Sequence, residues 1–131
     1  MTRVFRRALA LTVLSSVGIV GHASAAPPLK GVAQVGILKP VTKVDGANVV
    51  TTIKLKNLSK GPIAGLKVDE YWYDKGGNLL PGSSKVVRLL GPGEVATVVL
   101  TTKKDPKMNS NTYQFSHANG QVTTKVMPKI E

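Results

Sequence analysis

Short runs of alternating hydrophobic and polar residues fill the chain from about residue 32 to residue 127. The runs are rich in Val, Ile, Thr and Tyr, and clusters of Gly, Pro, Asn and Asp separate them. Alternation with a period of two places successive side chains on opposite faces, as in a strand that buries one face. No part of residues 26–131 shows the period of an amphipathic helix. The pattern therefore predicts an all-β domain.

The spacing of the runs predicts seven principal strands. They cover about residues 32–39, 49–57, 66–74, 85–90, 94–102, 112–117 and 121–127. A shorter strand is predicted at Leu79-Leu80, ended by Pro81-Gly82, and a turn is predicted at Asp45-Gly46. Asn119-Gly120 is the strongest hairpin signal, because Asn-Gly suits a tight turn between two strands. Short strands at this spacing are typical of an antiparallel sandwich or barrel.

Two of the predicted strands also show which side chains face the interior. In residues 49–57 the inward row is Thr51, Ile53 and Leu55, and the side chains that point to water are Thr52, Lys54 and Lys56. In residues 66–74 one face holds Leu66, Val68 and Trp72, and the other holds Lys67, Asp69, Tyr71 and Tyr73. Trp72 is therefore predicted to pack in the core. Residues 94–102 are apolar on both faces, which predicts a central or covered strand.

The first 25 residues have the three parts of a cleavable secretory signal peptide. Three arginines precede an apolar stretch at residues 8–20. Small side chains at Ala23 and Ala25 suit signal peptidase, so cleavage is predicted between Ala25 and Ala26. The alternative is an uncleaved membrane anchor, but a spanning helix needs about 20 apolar residues. We therefore expect a signal peptide helix (residues 1–25), export to the periplasm or beyond, and a single β-sandwich domain at residues 26–131.

Cysteine content indicates the compartment of the protein, and its charge limits the classes of partner that it can bind. The chain has no cysteine, and a cysteine-free exported domain is more typical of a bacterial envelope than of an animal extracellular space. The whole chain carries a net charge of +11, and removal of the three signal-peptide arginines leaves +8. Arg88 is the only arginine after residue 25, and scattered lysines cannot imitate the guanidinium fork that reads phosphates and bases. The charge predicts no nucleic acid partner and at most a peripheral electrostatic contact with membranes.

Motifs of catalytic and cofactor chemistry are missing from the sequence. There is no Gly-x-Ser-x-Gly motif, no P-loop and no Gly-x-Gly-x-x-Gly motif after a strand. A metal site needs several converging ligands, and His117 is the only histidine after residue 25. We therefore predict that the protein is not an enzyme and has no cofactor and no metal.

Outward tyrosines and an inward glutamate remain as candidate sites. Tyr71 and Tyr73 are predicted to face outward on the sheet of the last two strands, on one surface with Lys67 and Lys125. Tyrosine among small polar residues is typical of protein- or glycan-binding faces, but cross-strand tyrosines also stabilise a sheet by themselves. Glu70 has the parity of the core face, where a carboxyl group needs partners. It marks a functional site, or it lies near a strand end, is turned to solvent by a bulge, or pairs with a basic side chain.

Three segments at predicted turns and strand ends follow one another along the chain. They are Asn57-Leu58-Ser59, Trp72-Tyr73-Asp74-Lys75-Gly76-Gly77 and Gly91-Pro92-Gly93-Glu94. In this order they resemble FxLYD-type domains, which are immunoglobulin-like modules of bacterial exported proteins, and the related fibronectin-III-like modules. The resemblance covers about residues 48–127 and departs at Trp72 and Glu70, where the family has Leu and Phe. It implies an extracytoplasmic location, no catalytic activity and, with the strand count, a seven-stranded antiparallel immunoglobulin-like β-sandwich.

Two functions agree with these features. The first is a non-catalytic module of the bacterial cell envelope that binds a protein or polymer partner, through an added strand or through the tyrosines. The second is a basic periplasmic chaperone or protective factor that acts on anionic envelope components through its charge. They differ in salt dependence, because binding through charge alone weakens steeply when salt screens it.

Overall fold

The computed structural model describes residues 26–130, so the predicted signal peptide lies outside the described residues. This part of the chain forms eight strands and holds no helix of the length and apolarity needed to cross a membrane. The strands are β1 (Ala33–Ile37), β2 (Val41–Asp45), β3 (Asn48–Asn57), β4 (Ile63–Tyr73), β5 (Leu79–Leu90), β6 (Val95–Lys103), β7 (Ser110–His117) and β8 (Gly120–Val126).

The first sheet is built around β3. One edge of β3 pairs with β6 along nearly its whole length, in antiparallel orientation. The other edge pairs with β2 over its first half and with β1 over its second half, again antiparallel. β1 in turn pairs with β8 in parallel, from Ala33 opposite Val122 to Ile37 opposite Val126.

The second sheet is centred on β4, which lies between β5 and β7 and is antiparallel to both. The hairpin predicted at Asn119-Gly120 is confirmed, but β7 and β8 pair only at Ser116–Gln121 and His117–Gly120. β8 then leaves β7 and continues beside β1, so it belongs to both sheets. The two sheets are therefore joined along one side, as a half-barrel.

The prediction of seven antiparallel strands is wrong in two respects. An eighth strand, β2, pairs with β3 across a turn at Gly46, whose φ of 61° is readily adopted by glycine. Every residue of β2 is exposed, so this strand lacks the burial alternation of β3 and β4. In addition, β8 pairs in parallel with β1, whereas the sequence predicted antiparallel pairs only. The all-β prediction holds, with eight strands of mixed direction.

Pro81-Gly82 does not end a strand, contrary to prediction, because β5 continues through it. The register between β4 and β5 shifts at this point, since Glu70 lies opposite Ser83 whereas Trp72 lies opposite Leu80. Such a bulge accommodates one extra residue, here on β5, where two residues lie against one of β4. β5 is an edge strand, and one side of such a strand has no partner to accept hydrogen bonds from its N–H groups. Pro81 lacks an N–H group and can therefore lie in β5 without loss of a ladder hydrogen bond.

Side chains from both sheets fill the interior, and the inward rows predicted for β3 and β4 are confirmed. The core includes Val35, Ile53, Leu55, Leu66, Val68, Val98 and Leu100. Full burial of each such side chain stabilises the fold by about 1.5–3 kcal/mol. The prediction of a covered strand at residues 94–102 is wrong, because within residues 26–130 β6 pairs only with β3 and its outward Val99 is 42% exposed.

Candidate functional site

Tyr71 and Tyr73 lie on the outer face of β4, where they alternate with buried side chains. Tyr73 lies opposite Leu79 on β5, and Tyr71 lies opposite Thr112 on β7. Gln114 is the next outward residue on β7, and these five side chains border one shallow depression. We call this surface the tyrosine face and define it by Tyr71, Tyr73, Leu79, Thr112 and Gln114.

The tyrosine face combines an exposed apolar side chain with polar groups. Leu79 is 63% exposed, whereas both tyrosines are half-buried between their strand neighbours. The hydroxyl oxygen of Tyr71 lies 3.5 Å from Oε1 of Gln114, which is long for a hydrogen bond between oxygens. The hydroxyl can therefore exchange this weak partner for a ligand group. Aromatic rings fixed on a strand offer contact area at little cost in conformational entropy, so this surface suits recognition.

Only one of the two lysines predicted for this surface lies beside the tyrosines. Lys67 shares the outer face of β4, and its Nζ lies 3.6 Å from Oδ1 of Asp69. Ser84 on β5 also donates a hydrogen bond to Asp69. Lys125 lies opposite Gly36, on the part of β8 that has left β7 and pairs with β1. The structure therefore separates Lys125 from the tyrosines, because β8 passes from the second sheet to the first.

Glu70 is the centre of a buried polar cluster behind the tyrosine face, with only 1% of the residue exposed. Its Oε2 accepts hydrogen bonds from Thr51 Oγ1 on β3 (2.7 Å) and from Asn111 Nδ2 on β7 (2.9 Å). Asn111 Nδ2 also donates to the hydroxyl oxygen of Tyr113 at 2.9 Å. Because Thr51 gives its only hydroxyl proton to Glu70, the 2.9 Å bond between Thr42 and Thr51 has Thr42 as donor. The cluster links β2, β3, β4 and β7.

Two of the three non-functional explanations considered for Glu70 do not apply. Glu70 does lie near a strand end, three residues before the end of β4, but the bulge leaves its side chain inward, and no basic side chain of residues 26–130 pairs with it. Oε1 of Glu70 and Nε1 of Trp72 are buried and have no hydrogen-bond partner among the described residues. The bonded atoms of the cluster join β4, which carries both tyrosines, to β3 and β7. We therefore interpret the cluster as the support of the tyrosine face.

His117 is buried and forms hydrogen bonds with the main chain. Its Nδ1 accepts a hydrogen bond from the N–H of Asn119 at 3.2 Å, so Nε2 carries the proton and donates to the carbonyl oxygen of Gly31 at 2.6 Å. In the part of the chain that the structure describes, no three potential metal ligands of the His, Cys, Asp and Glu types come together. His117 therefore attaches the arm before β1 to the hairpin between β7 and β8.

The turn between β4 and β5 borders the tyrosine face and depends on Asp74. Its Oδ1 accepts hydrogen bonds from the N–H groups of Gly76 and Asn78, both at 2.9 Å, and its Oδ2 accepts one from Asn78 Nδ2 at 3.1 Å. The Asn78 N–H, followed by the Asn78 side chain, lowers the pKa of Asp74 from its ordinary value of 3.8. The ionised carboxylate thereby fixes the turn that brings Leu79 opposite Tyr73.

Two members of this region were not predicted from the sequence. Leu79 belongs to the short strand predicted at Leu79-Leu80, and the turn between β4 and β5 places it opposite Tyr73. Asn111 precedes the predicted strand at residues 112–117, yet it has the same inward parity as Tyr113. That shared parity is the signal that could have identified Asn111 as a partner for the inward Glu70.

Two solved structures share the fold of this chain. The crystal structure of a DUF1425 family member from Shewanella sp. pv-4 has a TM-score of 0.51 at 15% identity, covering 64% of this chain and 78% of that chain. IrmA from Escherichia coli has a TM-score of 0.52 at 13% identity, covering 76% of this chain and 97% of that chain. No family model and no curated protein matches the sequence. These comparisons support a common all-β fold, and the resemblance to FxLYD-type domains stays a prediction.

Proposed function

We propose that this protein is a non-catalytic, exported module of the bacterial cell envelope that binds a protein or polymer partner through the tyrosine face. The observation that carries the proposal is the cluster of Tyr71, Tyr73 and the 63% exposed Leu79 on two paired strands. Export follows from the signal peptide predicted at residues 1–25.

The neighbours of the tyrosines favour partner binding over sheet stabilisation alone. Across the strands Tyr71 lies opposite Thr112, and Tyr73 lies opposite Ser110 and Leu79, so neither ring has an aromatic partner there. A partner that covers Leu79 would remove its apolar surface from water, which is worth about 1.5–3 kcal/mol for a fully buried leucine. Tyrosine is also enriched at the centres of protein interfaces, where each ring adds apolar area and one polar tip.

The proposal is tested by capture of envelope components on immobilised protein. We expect a Tyr71→Ser/Tyr73→Ser double variant to lose the components that the unchanged protein retains, because the variant lacks both rings but keeps the strand. A matched control is Val41→Ser/Val99→Ser, which removes two exposed apolar side chains from the outer face of the other sheet.

The two variants separate a specific face from general stickiness. Retention by the control together with loss in the tyrosine variant supports the proposal. Equal retention by all three proteins removes the tyrosine face as the binding surface. Unfolding temperatures of both variants are compared first, since a loss of capture counts only when the fold is kept.

A further inference from the structure

The outward rows of the first sheet carry five lysines. They are Lys43 on β2, Lys54 and Lys56 on β3, Lys103 on β6 and Lys125 on β8. Four of these side chains are exposed and Lys56 is half-buried. We call this surface the lysine face. It is the side of the half-barrel away from the tyrosines of β4.

The strand register arranges these lysines as a flat array. Lys54 and Lys56 lie two residues apart on one strand, so their Cα atoms are about 7 Å apart. Lys56 lies opposite Gly36 on β1, and Gly36 lies opposite Lys125 on β8, so the two lysines are two strand spacings, or about 10 Å, apart. The side chain of Met127 covers Gly36, where even a Cβ atom would overlap it. The Met127 side chain therefore lies between Lys56 and Lys125 in this row.

The charge of the lysine face is almost unopposed. Within residues 26–130 the single ion pair joins Lys67 to Asp69, on the other sheet. The one acidic residue in the outward rows of the lysine face is Asp45, in the row of Asn48 and Lys103. Other carboxylates accept hydrogen bonds from main-chain N–H groups of turns, namely Asp74, Glu94 and Asp105. Five positive charges thus face solvent on one sheet against a single negative charge.

We propose that the lysine face binds the anionic phospholipid surface of a bilayer. The lysines are distributed over four strands of one sheet rather than along a groove, so all of them can approach a plane of headgroups together. Side chains between them, such as Thr52, Thr97 and Met127, are shorter than lysine and do not hold that plane away. Each lysine near an anionic surface contributes about 1 kcal/mol, which corresponds to about fivefold in binding.

Nucleic acid fits this surface less well than a bilayer does. The lysine face contains no arginine, so it lacks the planar fork that holds phosphate through two hydrogen bonds. It also contains no aromatic side chain on which bases could stack, since the outward tyrosines of β4 lie on the other sheet. This inference concerns a different surface from the tyrosine face and does not depend on it.

The test measures binding of the purified protein to vesicles of phosphatidylcholine with and without about 30% phosphatidylglycerol. The lysine-face variant is Lys43→Gln/Lys54→Gln/Lys56→Gln/Lys125→Gln. The control is Lys30→Gln/Lys60→Gln/Lys75→Gln/Lys104→Gln, which removes the same charge from exposed positions outside this face. We expect the unchanged protein to bind only the anionic vesicles, and to do so more weakly as salt is raised.

The two variants distinguish a defined face from net charge. We expect at least a tenfold loss of vesicle binding in the lysine-face variant and less than a threefold loss in the control. The ionic strength in this measurement is about 0.1 M, where the Debye length is about 10 Å. Equal losses in both variants overturn the proposal, as does a wild-type protein that ignores anionic vesicles. Binding to soluble polyphosphate without binding to vesicles also overturns it, in favour of a polymer. Matching thermal unfolding curves confirm that both variants keep the fold.

Discussion

Glu70 is the residue whose role depends most on its surroundings. Its Oε2 is the common acceptor for Thr51 and Asn111 in a fully buried site. Replacement by alanine leaves the buried Thr51 hydroxyl without its acceptor, removes one of two acceptors from Asn111 Nδ2, and opens a cavity. We expect Glu70→Ala to lower the free energy of unfolding by about 2–4 kcal/mol. Glu70→Gln retains a carbonyl oxygen for both donors, so its loss should be clearly smaller in urea unfolding. Equal losses would show that these hydrogen bonds contribute nothing.

Asp74 makes the stability of the folded protein depend on pH. Because hydrogen bonds from Asn78 lower its folded-state pKa from 3.8, Asp74 stabilises the folded protein above that value. The contribution is lost as pH falls through the lowered folded-state pKa. We expect Asp74→Asn to unfold at a lower temperature than the unchanged protein near neutral pH, and the difference to shrink below pH 3.8. The check is a series of thermal unfolding curves, and a difference that persists at the lowest pH would contradict this role.

At the scale of elements, alternation predicted some strands well and left others out. β3 and β4 bury one side chain in two, so the inward Leu55 and Val68 and the outward Tyr71 could be predicted. β2 buries no side chain, and the pairing of β1 with β8 joins chain segments far apart, so no local pattern encodes either. Leu79 joins the site through the turn between β4 and β5, which places it opposite Tyr73. The tyrosines were therefore predictable, and the shape of the surface around them was not.

The bulge in β5 requires a residue without a Cβ atom at position 82, which is Gly82. A Cβ atom at this position would overlap the carbonyl oxygen of Glu70, which is part of the main chain and cannot move aside. We expect Gly82→Ala to reduce the free energy of unfolding by about 1–3 kcal/mol. Gly61→Ala is the matched control, because its Cβ would meet only Leu29 at 3.7 Å, an ordinary contact. Similar denaturation midpoints for the two variants would show that β5 adjusts freely.

At the scale of the whole molecule, the two outer surfaces differ in chemistry. The tyrosine face combines apolar and polar side chains, and its nearest lysine, Lys67, is paired with Asp69. The lysine face is cationic and carries one acid among five lysines. The two proposals therefore combine in one arrangement, in which the first sheet lies on a membrane and the second faces a partner. In the proposed cell-envelope role, this arrangement places the domain on the far side of the inner membrane.

Export is the prediction on which that arrangement depends. Small side chains at Ala23 and Ala25 predict cleavage after Ala25, so expression in a bacterial host should yield a periplasmic or secreted protein that begins at Ala26. Intact mass measurement of the fractionated protein checks this directly. Ala25→Phe places a bulky side chain at the cleavage position and should leave the chain uncut in the membrane fraction, whereas Ser24→Ala should be processed normally. Full-length wild-type protein in the membrane fraction would instead favour the anchor, and the lysine face would then act beside a tethered N-terminus.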